Sequence, residues 1–321
     1  MASATADLLE RVRAGALLEP GRRVLVLLSG GRDSVCLLDL AVRIAGAGHV
    51  AALHCNYGLR ADAPAEEEHC AALCDRLGVA LHVHRPGPAP EGNLQAWARD
   101  QRYAAAARVA LGEGGDVAAG HTATDQVETV LYRLAASPGR RALLGMAARE
   151  GRLVRPLLGV TRAETAAHCE ARGLRWREDA SNETAAYARN RVRGELLPAL
   201  RSLHPAAEAN VLRTLALLRD EAAVLDAVVD AALEEAGDPP AVAAVKALPP
   251  ALRRLALQRL ADRAASDRAQ AIGHRSAEVL ALAEGAALDV GGGLRAEIRD
   301  GALRFGRSSG PAAPHRDRAR P

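Results

Sequence analysis

The sequence lacks the features of an exported or membrane-bound protein. None of its apolar runs approaches the roughly 20 residues that a membrane-spanning helix needs. Residues 1–18 mix acids and arginines with apolar residues, so they do not show the basic, apolar and small-residue order of a signal peptide. We therefore expect a cytoplasmic protein with no membrane partner.

Its cysteine content excludes a second set of protein classes. The five cysteines form no Cys-x-x-Cys pair. A disulfide framework is therefore not expected, and neither are the paired thiols that usually carry sulfur, zinc or an iron–sulfur cluster. Cys70 and Cys74 lie one helical turn apart, which leaves a metal pair open, but a buried helix face is the simpler interpretation.

Lysine and aromatic residues are also scarce. Lys246 is the only lysine among the 42 basic residues, the net charge is +3, and the aromatic residues are 2 Trp, 4 Tyr and 1 Phe. Arginine suits phosphate contacts, although this compositional bias is only weak support for nucleic-acid binding. With so few rings available for base stacking, recognition of a nucleic acid would depend on arginine and on shape.

The first half of the sequence alternates strand and helix patterns. Four short strand patterns are each followed by a stretch with helical spacing, and they cover residues 23–28, 50–54, 79–84 and 116–119. Buried strands that alternate with helices indicate a parallel sheet covered on both faces. We therefore predict an α/β fold, to which residues 153–158 contribute a further strand and turn.

The second half has a different character. Alanine- and leucine-rich helical patterns fill residues 206–235, 248–264 and 275–284, and short strands around a glycine turn follow at 287–307. We expect an α/β catalytic domain over residues 1–202, a helical domain ending in a short β-hairpin over 203–307, and a disordered tail over 308–321.

The turn after the first strand carries the clearest chemistry. It reads Ser29-Gly30-Gly31-Arg32-Asp33-Ser34 and leads into a helix. Glycines allow close backbone approach to a ligand, and the free amides and dipole of a helix start favour an anion such as phosphate. A carboxylate beside phosphates is repulsive unless it holds a metal or orients a nucleophile. The alternative is a glycine-rich turn in which Asp33 only caps the helix.

Other phosphate-binding motifs are absent or misplaced. The sequence has no G-x-x-x-x-G-K-[ST] and no G-x-S-x-G. Gly46-x-Gly48-x-x-Ala51 follows a helix and precedes a strand, which is the reverse of the dinucleotide-binding context. The turn at residues 29–34 is therefore the main candidate.

This strand, turn and helix resemble the PP-loop ATP pyrophosphatases. That group cleaves ATP between the α and β phosphates and adenylates an oxygen of a second substrate. It includes amidotransferase synthetases, tRNA thiolases and tRNA(Ile)-lysidine synthetases, and the turn alone does not choose among them.

Further segments are similar to motifs of the tRNA(Ile)-lysidine synthetase family, over about residues 22–200 and again near the end. They are His54-Cys55-Asn56-Tyr57-Gly58-Leu59-Arg60, Asn93 to Tyr103, Gly120 to Thr129, Arg155-Pro156-Leu157-Leu158, Glu178-Asp179-x-Ser181-Asn182, Arg189-Asn190-x-x-Arg193 and Leu288 to Arg295. Tyr57 and Thr124 stand where the family usually has histidine and aspartate. The resemblance suggests a short member of the family.

The resemblance implies a reaction and its participants. The substrates would be ATP, free L-lysine and the isoleucine tRNA with a CAU anticodon, and Mg²⁺ would assist. The C2 oxygen of the first anticodon cytidine would attack the α phosphate and release pyrophosphate, and the amine of lysine would then displace AMP. Whether the protein acts as a homodimer is left open.

The resemblance also implies site residues, in three groups. ATP contacts are expected from Ser29, Gly30, Gly31, Arg32, Asp33, Ser34, His54 and Asn56. Catalytic roles are expected for Asp33, Asp125 and Glu128, with Asp33 and Asp125 near Mg²⁺. Phosphate or tRNA contacts are expected from Arg60, Arg99, Arg102, Arg155, Arg189 and Arg193.

Each group also has a plainer structural interpretation. His54 could be a satisfied strand-end residue, Arg99 and Arg102 a solvated helix face, and Asp125 with Glu128 an acidic helix start that is stabilised by its dipole. Two other functions also stay open. A tRNA thiolase would need the Cys-x-x-Cys pairs that this sequence lacks, and a non-catalytic nucleotide-binding protein would leave the carboxylates without a task.

Overall fold

The chain folds as alternating strands and helices, followed by a helical region and a small second sheet. The computed structural model describes residues 2–59, 61–136, 139–177, 191–265, 269 and 272–308. The chain separates into two compact units, which divide between Ala216 and Leu217. The domain boundary expected after residue 202 stays a prediction.

The first unit contains the α/β elements. In chain order they are α1 (Ala2–Ala14), β1 (Val24–Leu27), α2 (Arg32–Ala45), β2 (Val50–Cys55), α3 (Ala63–Leu77), β3 (Ala80–His84), α4 (Leu94–Glu113), β4 (Asp116–Ala118), α5 (Ala123–Ala136), α6 (Arg140–Leu143), β5 (Arg149–Glu150), β6 (Leu153–Val154), α7 (Arg162–Ala171), α8 (Leu197–Leu203) and the start of α9 (Ala207–Ala236). A π-helical turn, Val192–Leu196, leads directly into α8.

The predicted parallel sheet is confirmed. Its strand order is β3-β2-β1-β4-β6-β5, and every neighbouring pair is parallel except the short β5–β6 hairpin. At the start of β1, Val24 lies opposite Val50 of β2 on one side and Asp116 of β4 on the other. Because β1 is central, its four residues are all buried.

The two faces of the sheet bury different sets of side chains. Val24 and Val26 of β1 belong to a core that includes apolar residues of α1, α2, α3 and α7. Leu25 and Leu27 belong to a second core, together with Ala105 and Ala106 of α4. Successive side chains of a strand point to opposite faces, so helices must cover both.

The connections on the two sides of β1 run in opposite directions along the sheet. β2 and β3 lie on one side of β1, whereas β4 and β6 lie on the other. Where the order reverses, the loops after β1 and β4 leave a crevice at the carboxyl ends of the strands. The turn at residues 29–34 and the segment after β4 therefore meet at this edge.

Helices α2 and α7 share a buried cluster of charged and polar groups. Asp39 of α2 is 1% exposed and accepts hydrogen bonds from His168 at 2.8 Å and from Arg172 at 3.3 Å. His168 lies within α7, and Arg172 is the residue that follows its last turn. Burial raises the pKa of Asp39, but the hydrogen bonds from His168 and Arg172 outweigh it, so the pKa lies below its ordinary value. The carboxylate thus stays charged and fixes α7 against α2.

The second unit has its own apolar core. Its elements are the rest of α9, then α10 (Val242–Ala247), α11 (Pro250–Ala264), α12 (Ser276–Leu280), β7 (Ala287–Gly291), β8 (Leu294–Arg299) and β9 (Ala302–Arg307). The core contains Val245, Leu257, Ile272, Ala296 and Leu303. The predicted helical character of this region is confirmed.

One detail of the second unit differs from the prediction. We expected a β-hairpin, but the strands form a three-stranded antiparallel sheet in the order β7-β8-β9. A second turn at Asp300 and Gly301, both at positive φ, folds residues 302–307 back on β8. The tail that we expected to be disordered, residues 308–321, falls almost wholly on residues 309–321, which lie outside the described residues.

Membrane insertion finds no support in the described helices. None of them combines the length and the apolar character that are needed to cross a bilayer. Even the 30-residue α9 carries charged residues along its length.

The buried carboxylate of Asp39 gives a first prediction. We expect Asp39→Asn to lower the free energy of unfolding at neutral pH by about 3–5 kcal/mol, because it breaks a buried charged cluster. The exposed Asp75→Asn, which removes an equal charge from α3, should have little effect.

The pH dependence follows from the lowered pKa. The stabilisation from Asp39 is present above the unfolded pKa of about 3.9 and is lost as the pH falls through the lower folded value. Urea unfolding between neutral and acid pH should therefore show a smaller loss of stability in Asp39→Asn than in the unchanged protein. If both proteins lost the same free energy of unfolding between neutral and acid pH, this assignment would be wrong.

Candidate active site at the carboxyl edge of the sheet

The glycine-rich turn is held in shape by its two serines. The hydroxyls of Ser29 and Ser34 lie 3.1 Å apart, and Ser34 Oγ also donates to the carbonyl oxygen of Gly31 at 2.8 Å. The amides of Ser29 and Gly31 donate to these hydroxyls at 3.2 and 3.3 Å. Gly30 adopts a φ of 81°, which turns the backbone between strand and helix.

The start of α2 forms the floor of the site. Gly31 is the residue before the helix and has no side chain to cap it. The first amides and the positive end of the helix dipole therefore face the crevice, an arrangement that suits phosphate oxygens. Asp33 adds a carboxylate in this first turn, with 18% of its side chain exposed.

The backbone after β4 lies directly against this helix start. A Cβ added to Gly120 would come within 3.1 Å of the carbonyl oxygen of Asp33 and 3.2 Å of the amide nitrogen of Ser34. Only glycine fits this close approach without displacing the turn. The segment that carries Asp125 is therefore tied to the glycine-rich turn.

Asp125 has a structural task at the start of α5. One of its oxygens, Oδ2, accepts from the amide of Thr122 at 2.8 Å and from its hydroxyl at 2.9 Å. In return, the amide of Asp125 donates to Thr122 Oγ1 at 3.4 Å, which completes a reciprocal cap. The other oxygen, Oδ1, contacts the guanidiniums of Arg162 and Arg193.

A single guanidinium joins the two aspartates. Arg162, at the start of α7, places Nη2 3.2 Å from Asp125 Oδ1 and Nε 3.7 Å from Asp33 Oδ2. Thr165, one turn further along α7, donates to Asp33 Oδ1 at 2.5 Å. Carboxylates from β1–α2 and β4–α5 thus converge on one positive charge.

Glu128 is fully buried and makes a bidentate ion pair. Arg193 donates from Nε to Oε1 at 2.7 Å and from Nη2 to Oε2 at 3.0 Å, and it also lies 3.6 Å from Asp125 Oδ1. Burial lowers the pKa of Arg193, but the hydrogen bond and charge of Glu128 outweigh it, so the pKa lies above its ordinary value.

His54 holds the residue that precedes the glycine-rich turn. It is 3% exposed, and its Nδ1 donates to the carbonyl oxygen of Leu28, the last residue before the turn, at 3.0 Å. Its Nε2 is buried and has no hydrogen-bond partner among the described residues. Cys70 Sγ lies 3.5 Å from the same Nδ1 and packs beside Gly30.

The other residues of the β2 motif connect to α3 and α4. Asn56 donates to Glu67 of α3 at 2.9 Å. The hydroxyl of Tyr57 donates to the carbonyl oxygen of Ala98 at 2.9 Å and accepts from Arg102 Nε at 3.4 Å. Tyr57, which departs from the family pattern, therefore fastens the β2 loop to α4.

Three of the predicted arginine contacts have described environments outside this cluster. Arg99 is exposed and lies over the Tyr103 ring at 4.7 Å. Arg102 is half-buried beside Tyr57. Arg155 is only 4% exposed and binds Ala147 O at 2.7 Å and Glu150 at 3.1 Å, so we assign it to the β5–β6 hairpin and leave it out of the proposed contacts.

Some predicted residues lie outside the described part of the chain. These are Arg60, Arg189 and the segment Glu178-Asp179-x-Ser181-Asn182. Of the two arginines in the Arg189-Asn190-x-x-Arg193 motif, the structure therefore describes only Arg193.

The cysteine pair on α3 behaves as a buried helix face. Burial raises the pKa of the Cys70 thiol to about 12 and that of Cys74 to about 11, so both stay protonated at neutral pH. Among the described residues, no group of three or more histidine, cysteine or acidic side chains is arranged to hold a metal ion.

Sequence reasoning missed Arg162, Thr165 and the close approach of Gly120. The capping signal Thr161-x-x-Glu164 places Arg162 in the first turn of α7, and this cap is present in the structure. However, that signal does not show where α7 docks. The link to Asp125, 37 residues away, becomes visible only in the folded chain.

The turn, its helix and the crevice define a class of protein. Residues 4–200 match the family described as a PP-loop domain, so the chain is a PP-loop protein. The tRNA(Ile)-lysidine synthase of Pseudomonas fluorescens is 40% identical over 222 residues, 67% of this chain and 50% of that protein. That of Symbiobacterium thermophilum is 36% identical over an alignment of 341 residues, which covers 96% of this chain and 70% of that protein. The chain belongs to the tRNA(Ile)-lysidine synthase family.

Two further comparisons set the limits of this assignment. The chain spans about half the length of the Pseudomonas relatives that it matches. Among solved structures, the U34-tRNA thiolase NcsA from Methanococcus maripaludis, with its [4Fe-4S] cluster, superposes with a TM-score of 0.57 at 16% identity, covering 68% of this chain and 81% of that one. That likeness confirms the fold.

The Glu128–Arg193 pair gives a second prediction. We expect Arg193→Met to reduce the free energy of unfolding by about 3–5 kcal/mol, because it leaves a buried carboxylate without its main cation. Adding Glu128→Gln to the same chain should recover part of this loss. Denaturant unfolding of both single variants and the double variant measures the coupling.

A surface pair provides the matched control. Arg201 pairs with Glu208 at 2.5 Å, but the Arg201 side chain is 52% exposed. Arg201→Met should therefore change stability by at most about 1 kcal/mol. If both arginine substitutions had equal effects, burial would not be what makes the Glu128 pair important.

Proposed function

We propose that the chain catalyses the ATP-dependent ligation of L-lysine to a tRNA base, as a carbon–nitrogen bond-forming ligase. The acceptor is C2 of the first anticodon cytidine in the isoleucine tRNA with a CAU anticodon. The reaction forms lysidine, AMP and pyrophosphate, and it changes the codon read from AUG to AUA. We place it in the cytoplasm, where tRNA is available.

One observation carries this proposal. Asp33 from the phosphate-binding turn and Asp125 from the segment after β4 face the same guanidinium of Arg162. The nucleotide-binding helix start and a second, acidic segment therefore share one crevice. Family membership supplies the chemistry that such a crevice would perform.

The turn would hold the phosphates of ATP. The amides at the start of α2 would bind the β and γ phosphates that leave as pyrophosphate. The hydroxyls of Ser29 and Ser34 hold the turn in shape and would donate to phosphate oxygens by exchanging their internal hydrogen bonds. His54 would act indirectly, because its hydrogen bond to Leu28 sets the path of the chain into the turn. Binding energy on the phosphates would align the α phosphate for attack by the cytidine oxygen.

The donor set fits Mg²⁺. This ion is usually bound through one or two carboxylates together with substrate phosphates. Asp33 and Asp125 already share one cation, the guanidinium of Arg162, and they are the two carboxylates that would hold the ion in its place. When bound, Mg²⁺ would neutralise negative charge that builds up on the phosphates.

The acidic segment would receive the lysine amine. Glu128 and Asp125 are one helical turn apart, and both are paired with arginine in this structure. An ammonium group can replace a guanidinium at a carboxylate, so these residues would orient lysine toward C2 of the activated cytidine. Arg193, displaced from Glu128, could then meet a phosphate of AMP or tRNA.

Arginines of the family motifs would position the tRNA. Arg99 and Arg102 lie on α4, and Arg60 and Arg189 belong to two further motifs of the sequence. Contacts to phosphates fix the position of an RNA without reading its sequence. A tRNA thiolase is less well supported, since the sequence has no Cys-x-x-Cys pair.

The close packing of Gly120 gives a third prediction. Gly120→Ala should weaken ATP binding severalfold, because its Cβ must push the first turn of α2 out of place. Gly159→Ala is the matched control, since nothing lies within 4 Å of a Cβ there. Calorimetric titration with ATP compares them; unchanged affinity in Gly120→Ala would show that the turn tolerates this displacement.

The fourth prediction concerns the reaction itself. With ATP and radiolabelled lysine, the protein should label a transcript of isoleucine CAU tRNA but not one of methionine CAU tRNA. Asp33→Asn should reduce labelling by about 100-fold or more, the scale expected when a preorganised charge is removed. Asp75→Asn should leave the rate unchanged. Pyrophosphate release without lysine incorporation would refute the proposed function.

A further inference from the structure

A second cluster of arginines lies at the opposite edge of the sheet. Arg23 precedes β1, Asp116 begins β4, and Arg152 precedes β6, so these residues mark the amino ends of the parallel strands. The glycine-rich turn follows the carboxyl end of β1. The two places are thus separated by at least the length of β1, which is about 13 Å for four residues.

The arginines line an open cleft of about 530 Å³. Its walls are formed by Arg22, Arg23, Arg149 and Arg152, together with Gly114, Gly115, Gly151 and Asp116. Four arginines therefore line a cleft that contains one aspartate, and two of them, Arg22 and Arg149, contact it. Glu19 adds a second carboxylate, which contacts Arg22 at 3.3 Å. The cleft keeps an excess of positive charge.

The single carboxylate in the wall holds two of the arginines in place. Asp116 is 5% exposed and accepts from both terminal nitrogens of Arg149, at 2.9 and 3.0 Å. Arg22 Nη2 lies 3.2 Å from the same carboxylate. Two cations on one buried anion are fixed in position, and their charges are not fully cancelled.

Arg152 is anchored differently and leads to a neighbouring pocket. Its Nη1 donates to the carbonyl oxygen of Ala110 at 3.2 Å, near the end of α4. Arg152 also lines a smaller pocket of about 260 Å³, whose other residues are Tyr103, Ala106, Ala107, Ala110, Val117 and Leu153. Apart from Tyr103 and Arg152, these side chains have no hydrogen-bonding groups, so this pocket is not suited to recognising a nucleobase through side-chain hydrogen bonds.

We propose that this cleft is a second phosphate-binding site, separate from the ATP site. Planar guanidiniums in fixed positions match phosphate oxygens in pairs, which is the chemistry that arginine serves best. The groups bound are adjacent phosphates, which can come from an RNA backbone or from free pyrophosphate. This inference does not require the proposed ligase reaction.

A charge-removing double variant tests the site. Arg23→Gln/Arg152→Gln removes two of the four arginines and keeps the buried Asp116 paired with Arg149. The matched control is Arg13→Gln/Arg76→Gln, which removes two exposed arginines that line neither cleft. Thermal melting of both variants first establishes that they fold.

Calorimetric titration with inorganic pyrophosphate in chloride buffer gives the first readout. We expect the cleft variant to bind one pyrophosphate fewer than the unchanged protein and the control. If the glycine-rich turn also binds pyrophosphate, the number falls from two to one; if it does not, the number falls from one to zero. Failure of the ATP site is therefore distinguishable from failure of this proposal.

The affinity for a tRNA transcript across a salt series gives the second readout. If RNA phosphates occupy the cleft, the dependence of log Kd on log salt should become shallower by about one unit for each lost contact. Loss of a pyrophosphate site with an unchanged salt slope assigns the cleft to the free anion. If neither readout separates the cleft variant from the control, the proposal is overturned.

Discussion

The parallel pairing of β1 with both β2 and β4 is the constraint on which the rest of the structure depends. Because β1 is central, the chain must leave its carboxyl end into a helix on one side and return beside it later as β4. This brings the turn before α2 and the start of α5 to the same edge. The contact at Gly120, where no side chain fits without moving Asp33, shows how closely the two segments are joined.

Charge balance is the second requirement at that edge. Three carboxylates, from Asp33, Asp125 and Glu128, lie near a helix start and a protein core, where unpaired charges would be costly. Arg32 lies 3.4 Å from Asp33 and compensates part of this charge, and Arg162 and Arg193, which come from later in the chain, compensate the rest. The segment after the sheet therefore completes the site electrostatically, and the α/β core alone would leave it with excess negative charge.

The sequence predicted what depends on local spacing. The parallel sheet, the turn at residues 29–34 and the one-turn separation of Asp125 from Glu128 follow from periodicity and motif context, whereas the order of the strands was not predicted. Arg162 could not be found in this way, because its position depends on how α7 docks through Asp39 and His168. The same reasoning explains Arg155, whose motif gives its place in the chain but not the direction of its guanidinium, which turns into the β5–β6 hairpin.

The ion pairs between these arginines and carboxylates affect how ligands can bind at this edge. A cation that reaches Asp125 or Glu128 must exchange with a guanidinium, and it therefore gains only the difference between two ion pairs. A displaced guanidinium needs an anion of its own, and a nucleotide phosphate is the obvious one. For the reaction that we propose, this arrangement would favour simultaneous binding of an anionic and a cationic substrate, because each would take up the charge that the other displaces.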